Sequence, residues 1–205
     1  MCIIITGFEP FNNEATNPTQ ELVRKLQVTA PGDGNLVTDV LPVDTIAAPA
    51  YLTALLDRHH PTAVLLMGLA MGRAVLSVER VAINVRDFNI PDNAGVQLHD
   101  QPIVPDGPAA YFSTIPVCAI RERLCANGIP AEISNSAGTY LCNQVLYTAL
   151  HWAAQREQKP SIGFLHTPPL PGQVAAQQRP GPSMAFETML TGVRIILDIL
   201  NAPEY

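Results

Sequence analysis

Charge is scarce in this chain. Asp, Glu, Lys and Arg supply 15% of 205 residues, and 12 Lys and Arg against 18 Asp and Glu leave a net charge of −6. No basic run offers a stripe for phosphates, so nucleic acid is not an expected partner. Cysteine is sparse as well. Cys2, Cys118, Cys125 and Cys142 are scattered, with no CxxC pair and no histidine-rich partner spacing. That pattern argues against a disulfide framework and a zinc site, and no metal or other cofactor is expected. Long apolar runs are missing, and none reaches the ~20 residues of a membrane-spanning helix. The opening MCIIITGFEPF has a short apolar run without a basic lead, which reads as a first strand rather than a targeting signal. The expected location is the cytoplasm, with no membrane partner.

What remains is an apolar chain, with 47% hydrophobic residues and a mean hydropathy of +0.15. A domain of this size buries roughly 70% of its unfolded surface, so one domain over residues 1–205 needs no staple. Low charge also hints that other subunits cover part of the surface. Strand-like runs occur at 2–8, 36–43, 63–69, 77–85, 131–137 and 161–167, and helical periods at 17–28, 45–60, 113–127, 142–157 and 183–200. Their alternation predicts an α/β fold, an α/β/α sandwich around a mostly parallel, mixed, twisted sheet. Asn17-Pro18 reads as a helix cap with proline at the first helical position, and Gly128 as the residue that ends a helix. Residues 86–112, rich in Pro, Asn, Asp and Gly, predict a long loop or hairpin beside the core, and 167–183 a second irregular stretch.

Three reactive side chains stand where an apolar one would suit the fold. Cys142 follows a strand and a small-residue turn, Ser-Asn-Ser-Ala-Gly-Thr, at the start of a helix. There the free N–H groups and the dipole favour a thiolate, although a small core cysteine is the plainer reading. Cys118 and Cys125, seven apart on one helix, fit that plainer reading. Glu79 in SVERVAINV shares a face with Ser77, Val81, Ile83 and Val85 by strand alternation. A carboxylate there needs a partner or a proton, unless the strand twists and lets it reach solvent. His166 shares a face with Ile162 and Phe164 near the carboxyl end of a strand, where open α/β sheets place ligands. A satisfied structural histidine is the alternative. Taken together, a thiol, an imidazole and a carboxylate make the cysteine form of a catalytic triad. Their ion pair is expected to lower the thiol below its free pKa of about 8.5. GLAMGR at 68–73 follows a strand but is neither GxGxxG nor a Walker loop, which argues against nucleotide binding.

Several separate stretches resemble one family. TGFEPFNNEATNP, ERVAINVRDFNIPDN, DGPAAYFSTIPV, GIPAEISNSAGTYLCNQVLY and GFLHTPPLP are similar, in order and spacing, to pyroglutamyl peptidase I, the pyrrolidone-carboxylate peptidases. The similarity spans about residues 3–172. It implies an α/β/α fold, often a homotetramer, no metal, and removal of N-terminal pyroglutamate from peptides. The family's catalytic Glu, Cys and His fall on Glu79, Cys142 and His166. The resemblance also implies a lactam pocket from Phe8, Phe11, Asn17, Ile90, Tyr140 and Leu141. A small neutral ring without a free amine suits apolar walls with a few polar contacts.

The chain departs from the family at several positions. Asn12-Asn13 stand where glycines are usual, Leu69 where Gln is frequent, Asn89 where many members carry Arg, and Gln144 where the family reads His. Losing a charged oxyanion donor at 89 costs on the order of 10²-fold unless Asn89 substitutes. The expected activity is a cysteine exopeptidase. A related cysteine amidase on another small lactam, or a silent module that keeps the pocket, are the alternatives.

Overall fold

The apolar runs become the middle strands of one sheet. The computed structural model describes residues 2–29, 35–177 and 180–202. The chain order is β1 (Ile3–Phe8), α1 (Pro18–Thr29), β2 (Leu36–Leu41), α2 (Ala47–His59), β3 (Ala63–Leu69), β4 (Leu76–Glu79) and β5 (Val81–Ile83). It continues with β6 (Ala110–Phe112), α3 (Val117–Ala126), β7 (Ala131–Ser134), α4 (Leu141–Ala154), β8 (Ser161–Thr167), α5 (Pro171–Ala176) and α6 (Phe186–Asn201). Six strands form the main sheet in the order β2-β1-β3-β8-β4-β7. The first four run parallel, whereas β4 is antiparallel to β8 and parallel to β7. This is the mixed, mostly parallel α/β sheet that the sequence predicts.

Strand alternation sorts the core onto two faces. Ile4, Val64, Leu66, Ile162 and Phe164 meet α2 and α4 through Leu52, Leu56, Val145 and Leu150. Ile3, Ile5, Leu65, Met67 and Leu165 meet α1, α3 and α6 through Leu22, Ile120, Leu124, Val193 and Ile196. Each such side chain, fully buried, contributes about 1.5–3 kcal/mol. The period also fixes where chemistry sits, because His166 continues the Ile162–Phe164 row toward α4.

Capping follows the sequence at two points. Asn17 Oδ1 accepts the N–H of Thr19 at 3.0 Å and its hydroxyl at 2.8 Å, at the head of α1. Gly128 has φ +73° just past α3, the left-handed region that glycine enters freely. Asn12 and Asn13, where the family favours glycine, also lie at positive φ, 54° and 62°. Asparagine tolerates that region better than other non-glycine residues.

The structure differs from expectation in several places. The run 77–85 is two strands rather than one. β4 ends at Glu79, and β5 pairs with β6 in a separate two-stranded sheet. Asn143 holds β5 there, accepting the Ile83 N–H at 2.9 Å and donating to the Ile83 and Val85 carbonyls at 2.9 and 3.0 Å. Residues 84–109 are therefore the long connection of a β5–β6 hairpin, and the end of the expected 86–112 excursion is β6 itself. α3 begins at Val117 instead of 113, because Pro116 is its cap and residues before proline avoid helix. α5 is a short helix inside the stretch expected to be irregular. The strand expected at 131–137 stops at Ser134, and the small-residue turn before α4 is a six-residue loop, 135–140. Cys118 and Cys125 are exposed rather than buried, because α3 turns Ile120 and Leu124 inward.

Candidate active site

His166 occupies the next-to-last position of β8, directly opposite Gly68 of β3 in the parallel ladder. A Cβ on Gly68 would sit 2.7 Å from Cys142 Sγ and 2.7 Å from the Phe164 ring tip. The bare backbone at 68 is thus what lets the thiol settle against the sheet. Cys142 is the second residue of α4, whose N-cap Tyr140 gives no side-chain cap. The first turn keeps its N–H groups and the positive end of the helix dipole near the thiol.

Glu79 is buried without exposed surface on the strand next to β8. Its Oε1 accepts two hydrogen bonds, from His166 Nδ1 at 2.7 Å and from Arg73 Nη1 at 2.7 Å. The strand does not twist it into solvent. Because Nδ1 carries its proton toward this carboxylate, the Nε2 lone pair is left as the imidazole's free base. The Phe164 ring packs 4.7 Å from the imidazole and shields it.

Burial sets the resting protonation. The Cys142 thiol is pushed up to about 12, chiefly by burial and then by the Glu79 charge, against smaller lowering by Arg73 and its own N–H. His166 is lowered, again chiefly by burial, although the hydrogen bond and charge of Glu79 raise it. The resting pair is therefore a neutral thiol and a neutral imidazole. The lowered thiol expected from the sequence is overturned, because desolvation outweighs the dipole and the pairing.

A cavity of about 360 Å³ opens onto this pair. Phe8, Phe11, Asn17, Ile90, Tyr140 and Leu141 line it with Cys142 and His166, while Glu79 stands behind the imidazole. All six residues assigned to the pocket by resemblance thus come together. Tyr140 is fixed by Phe88, edge-on at 4.7 Å, and by donating to the Pro91 carbonyl at 3.1 Å. Asn93 ties this loop to the β1 end, donating to Glu9 Oε1 and the Pro10 carbonyl at 2.9 Å each. Leu69 and Asn89, two departures from the family pattern, also line the cavity. Gln144 faces away from it, exchanging hydrogen bonds with the Thr45 hydroxyl at 2.9 Å and carbonyl at 2.7 Å.

Sequence reasoning missed Arg73 and Gly68. The signal for Arg73 was present, since a buried Glu79 demanded a partner, but nothing in the spacing named it. Among the described residues no cluster of His, Cys, Asp or Glu is arranged to hold a metal.

The comparisons with known proteins follow this geometry. A sequence model described as Pyroglutamyl peptidase matches residues 1–202. The pyrrolidone-carboxylate peptidase of Pyrococcus furiosus is 42% identical over 202 residues, covering 97% of each chain. That of Cupriavidus taiwanensis is 47% identical over 195 residues, covering 94% of this chain and 89% of the other. The crystal structure of pyrrolidone carboxyl peptidase from Pyrococcus furiosus superposes with a TM-score of 0.92 at 41% identity, over 98% of both chains. Sequence and fold agree along nearly the whole length, and the chain belongs to the pyroglutamyl peptidase family.

Proposed function

We propose that the protein is a cysteine exopeptidase that removes N-terminal pyroglutamate from peptides, with Cys142 as nucleophile, His166 as base and acid, and Glu79 holding the imidazole. The carrying observation is that His166, held by Glu79 at 2.7 Å, lines the same cavity as Cys142. Substrate entry displaces solvent and brings the pyroglutamyl carbonyl to Sγ. His166 Nε2 takes the thiol proton as sulfur bonds to the carbonyl carbon. The developing oxyanion faces the uncapped first turn of α4. On collapse the imidazolium protonates the leaving amine, the C–N bond breaks and a thioester remains. Water then attacks, returns its proton through His166, and releases pyroglutamate and the thiol.

Phe8, Phe11, Ile90, Tyr140 and Leu141 supply the walls for the lactam. Asn17 spends one N–H on the Glu9 carbonyl at 3.1 Å, leaving its second for a ligand. Ordinary N-termini are disfavoured because an α-ammonium would meet apolar walls at Phe8, Phe11, Ile90 and Leu141, whereas Asp87, the carboxylate on the lining, faces His99 at 3.3 Å. A purified-protein assay with a pyroglutamyl fluorogenic amide, beside prolyl and glutamyl analogues and Cys142→Ala, tests this reading. Turnover of the pyroglutamyl compound alone, lost in the variant, is expected. Turnover that survives Cys142→Ala removes this nucleophile.

Leu69 and Asn89 in the cavity favour one second reading, a related amidase acting on another small lactam. Cleavage of such a compound with none of the pyroglutamyl amide would select it. A silent module would bind pyroglutamate without turnover. Self-association, a homotetramer by the resemblance, belongs to the proposal. Phe112 at 70% and Ile83 at 36% exposure on the β5–β6 sheet support an associating surface, and sedimentation measures it. A cytoplasmic site of action fits an enzyme that depends on a reduced thiol.

A further inference from the structure

We infer that Arg73 is a positioning residue for this reaction, setting the charge of the Glu79–His166 pair and locking that pair to the loop before the nucleophile. The inference rests on the cysteine-hydrolase reading above. Arg73 lies in the turn between β3 and β4. Its guanidinium divides its fork: Nη1 donates to Glu79 Oε1 at 2.7 Å, and Nη2 donates to the Ser136 carbonyl at 3.0 Å. A bidentate grip on Glu79 would be the stronger pairing for the two groups alone. Instead Glu79 Oε2 is buried and accepts no hydrogen bond from the described residues. The second N–H reaches residues 135–140, the loop that supplies Ala137, Gly138, Thr139 and Tyr140 to the cavity and leads into Cys142.

Two consequences follow. Oε1 is shared between a cation and the imidazole, so Glu79 orients His166 without drawing a second proton onto it. The cavity wall is also coupled to the triad through one planar guanidinium. The charged and titratable groups around the pair are few. Cys142 faces it from α4, Glu79 from β4 and Arg73 from the β3–β4 turn. Glu132 of β7 accepts from Ser77 Oγ at 2.7 Å, behind the strand position opposite His166. Asp87 and Tyr140 line the same cavity, and the Asp92 charge acts on Tyr140. Arg73 is the cation acting on both reactive groups, lowering the thiol and the imidazole alike.

The test compares wild type with Arg73→Met, Arg73→Lys and Arg73→Gln. Its first readout is the iodoacetamide alkylation rate of the Cys142 peptide at pH 8, followed by mass spectrometry and independent of any substrate. The rate follows the thiolate fraction. Arg73→Met is expected to slow it about three- to tenfold, since an opposite charge in this range moves a pKa by about a unit. The second readout is the acid limb of kcat/KM with the pyroglutamyl amide, expected to move to higher pH in Arg73→Met, with the main loss in kcat rather than KM. Arg73→Lys keeps the charge but not the fork, so its alkylation rate and acid limb stay near wild type while kcat falls. Arg73→Gln keeps a hydrogen bond without charge and should behave like Arg73→Met, so the Lys and Gln pair decides the matter if Arg73→Met does not fold. Alkylation rates and acid limbs that are the same in Lys and Gln variants as in wild type overturn the inference. Absence of wild-type turnover with alkylation ordered as expected would instead overturn only the assigned substrate.

Discussion

The two parts of the main sheet are held together by different means. In β1, β3 and β8 nearly every residue is buried, and hydrocarbon fills both faces. β4 and β7 are short, and β7 is only partly covered. β4 buries Leu76 and Val78 in the core, but its other face makes polar and specific contacts: Glu79 with His166 and Arg73, and Ser77 with Glu132. The first part is specified by apolar volume, which many sequences supply. The second adds pairs of atoms at fixed distances, and through Glu79 it orients the imidazole at the end of β8.

Substitutions in each part should separate activity from stability. Glu79→Gln keeps the shape but removes the charge and leaves the imidazole free to take the wrong tautomer. A fall in kcat of about 10³–10⁴ is expected, by the precedent of amide-for-carboxylate replacement in triads. Its cost in stability should be the smaller effect, because Arg73 keeps a quarter of its side chain in solvent. Leu65→Ala, on the α1–α6 face, should do the reverse, costing about 2–5 kcal/mol of stability with kcat unchanged in the folded protein. Urea denaturation and initial rates on both variants check the contrast. It breaks if Glu79→Gln unfolds the protein as readily as Leu65→Ala does while its rate survives.

The pH dependence of stability sharpens the same contrast. His166 is lowered in the folded state, so the unfolded chain takes a proton near pH 6.5 that the native site resists. Its contribution is fully present above that pH and is lost as the pH falls toward the native value. The thiol is raised from its ordinary 9.0 to about 12. Its contribution is present below pH 9 and is lost as the pH rises through that window. Neither slope exceeds about 1.4 kcal/mol per pH unit for a single proton. Urea midpoints between pH 8 and 10.5 should fall more steeply in wild type than in Cys142→Ala. Leu65→Ala should displace the whole curve without altering its shape.

Legibility in the sequence follows the same division. The hydrophobic strands β1, β3 and β8 were readable to within a residue, because each carries a period with punctuated ends. His166 and Glu79 were visible as polar residues on apolar faces. The break after Glu79 was not, because the side chain that holds Ile83 in the second sheet is Asn143, sixty positions further along the chain. Exposed Cys118 and Cys125 misled for a related reason, since α3 buries only a narrow stripe. The resting state of the thiol was misjudged because helix position is a local property and desolvation is a collective one. Arg73 escaped notice because loop geometry, not spacing, delivers it to Glu79.

Asn17 stands between the two regimes, and the smallest effect is expected there. It caps α1 through Oδ1, a structural task, and lines the cavity through its amide. Asn17→Ala removes both and should cost about 1 kcal/mol of stability. Asn17→Ser retains a capping oxygen and should restore most of that stability, because serine ranks with asparagine at this position. Neither variant keeps the second amide N–H, so KM for the pyroglutamyl amide should rise in both by a similar factor while kcat changes little. A KM that recovers with stability in Asn17→Ser would assign this residue to the scaffold alone, and the polar end of the lactam would then have to be met by backbone groups of the surrounding loops.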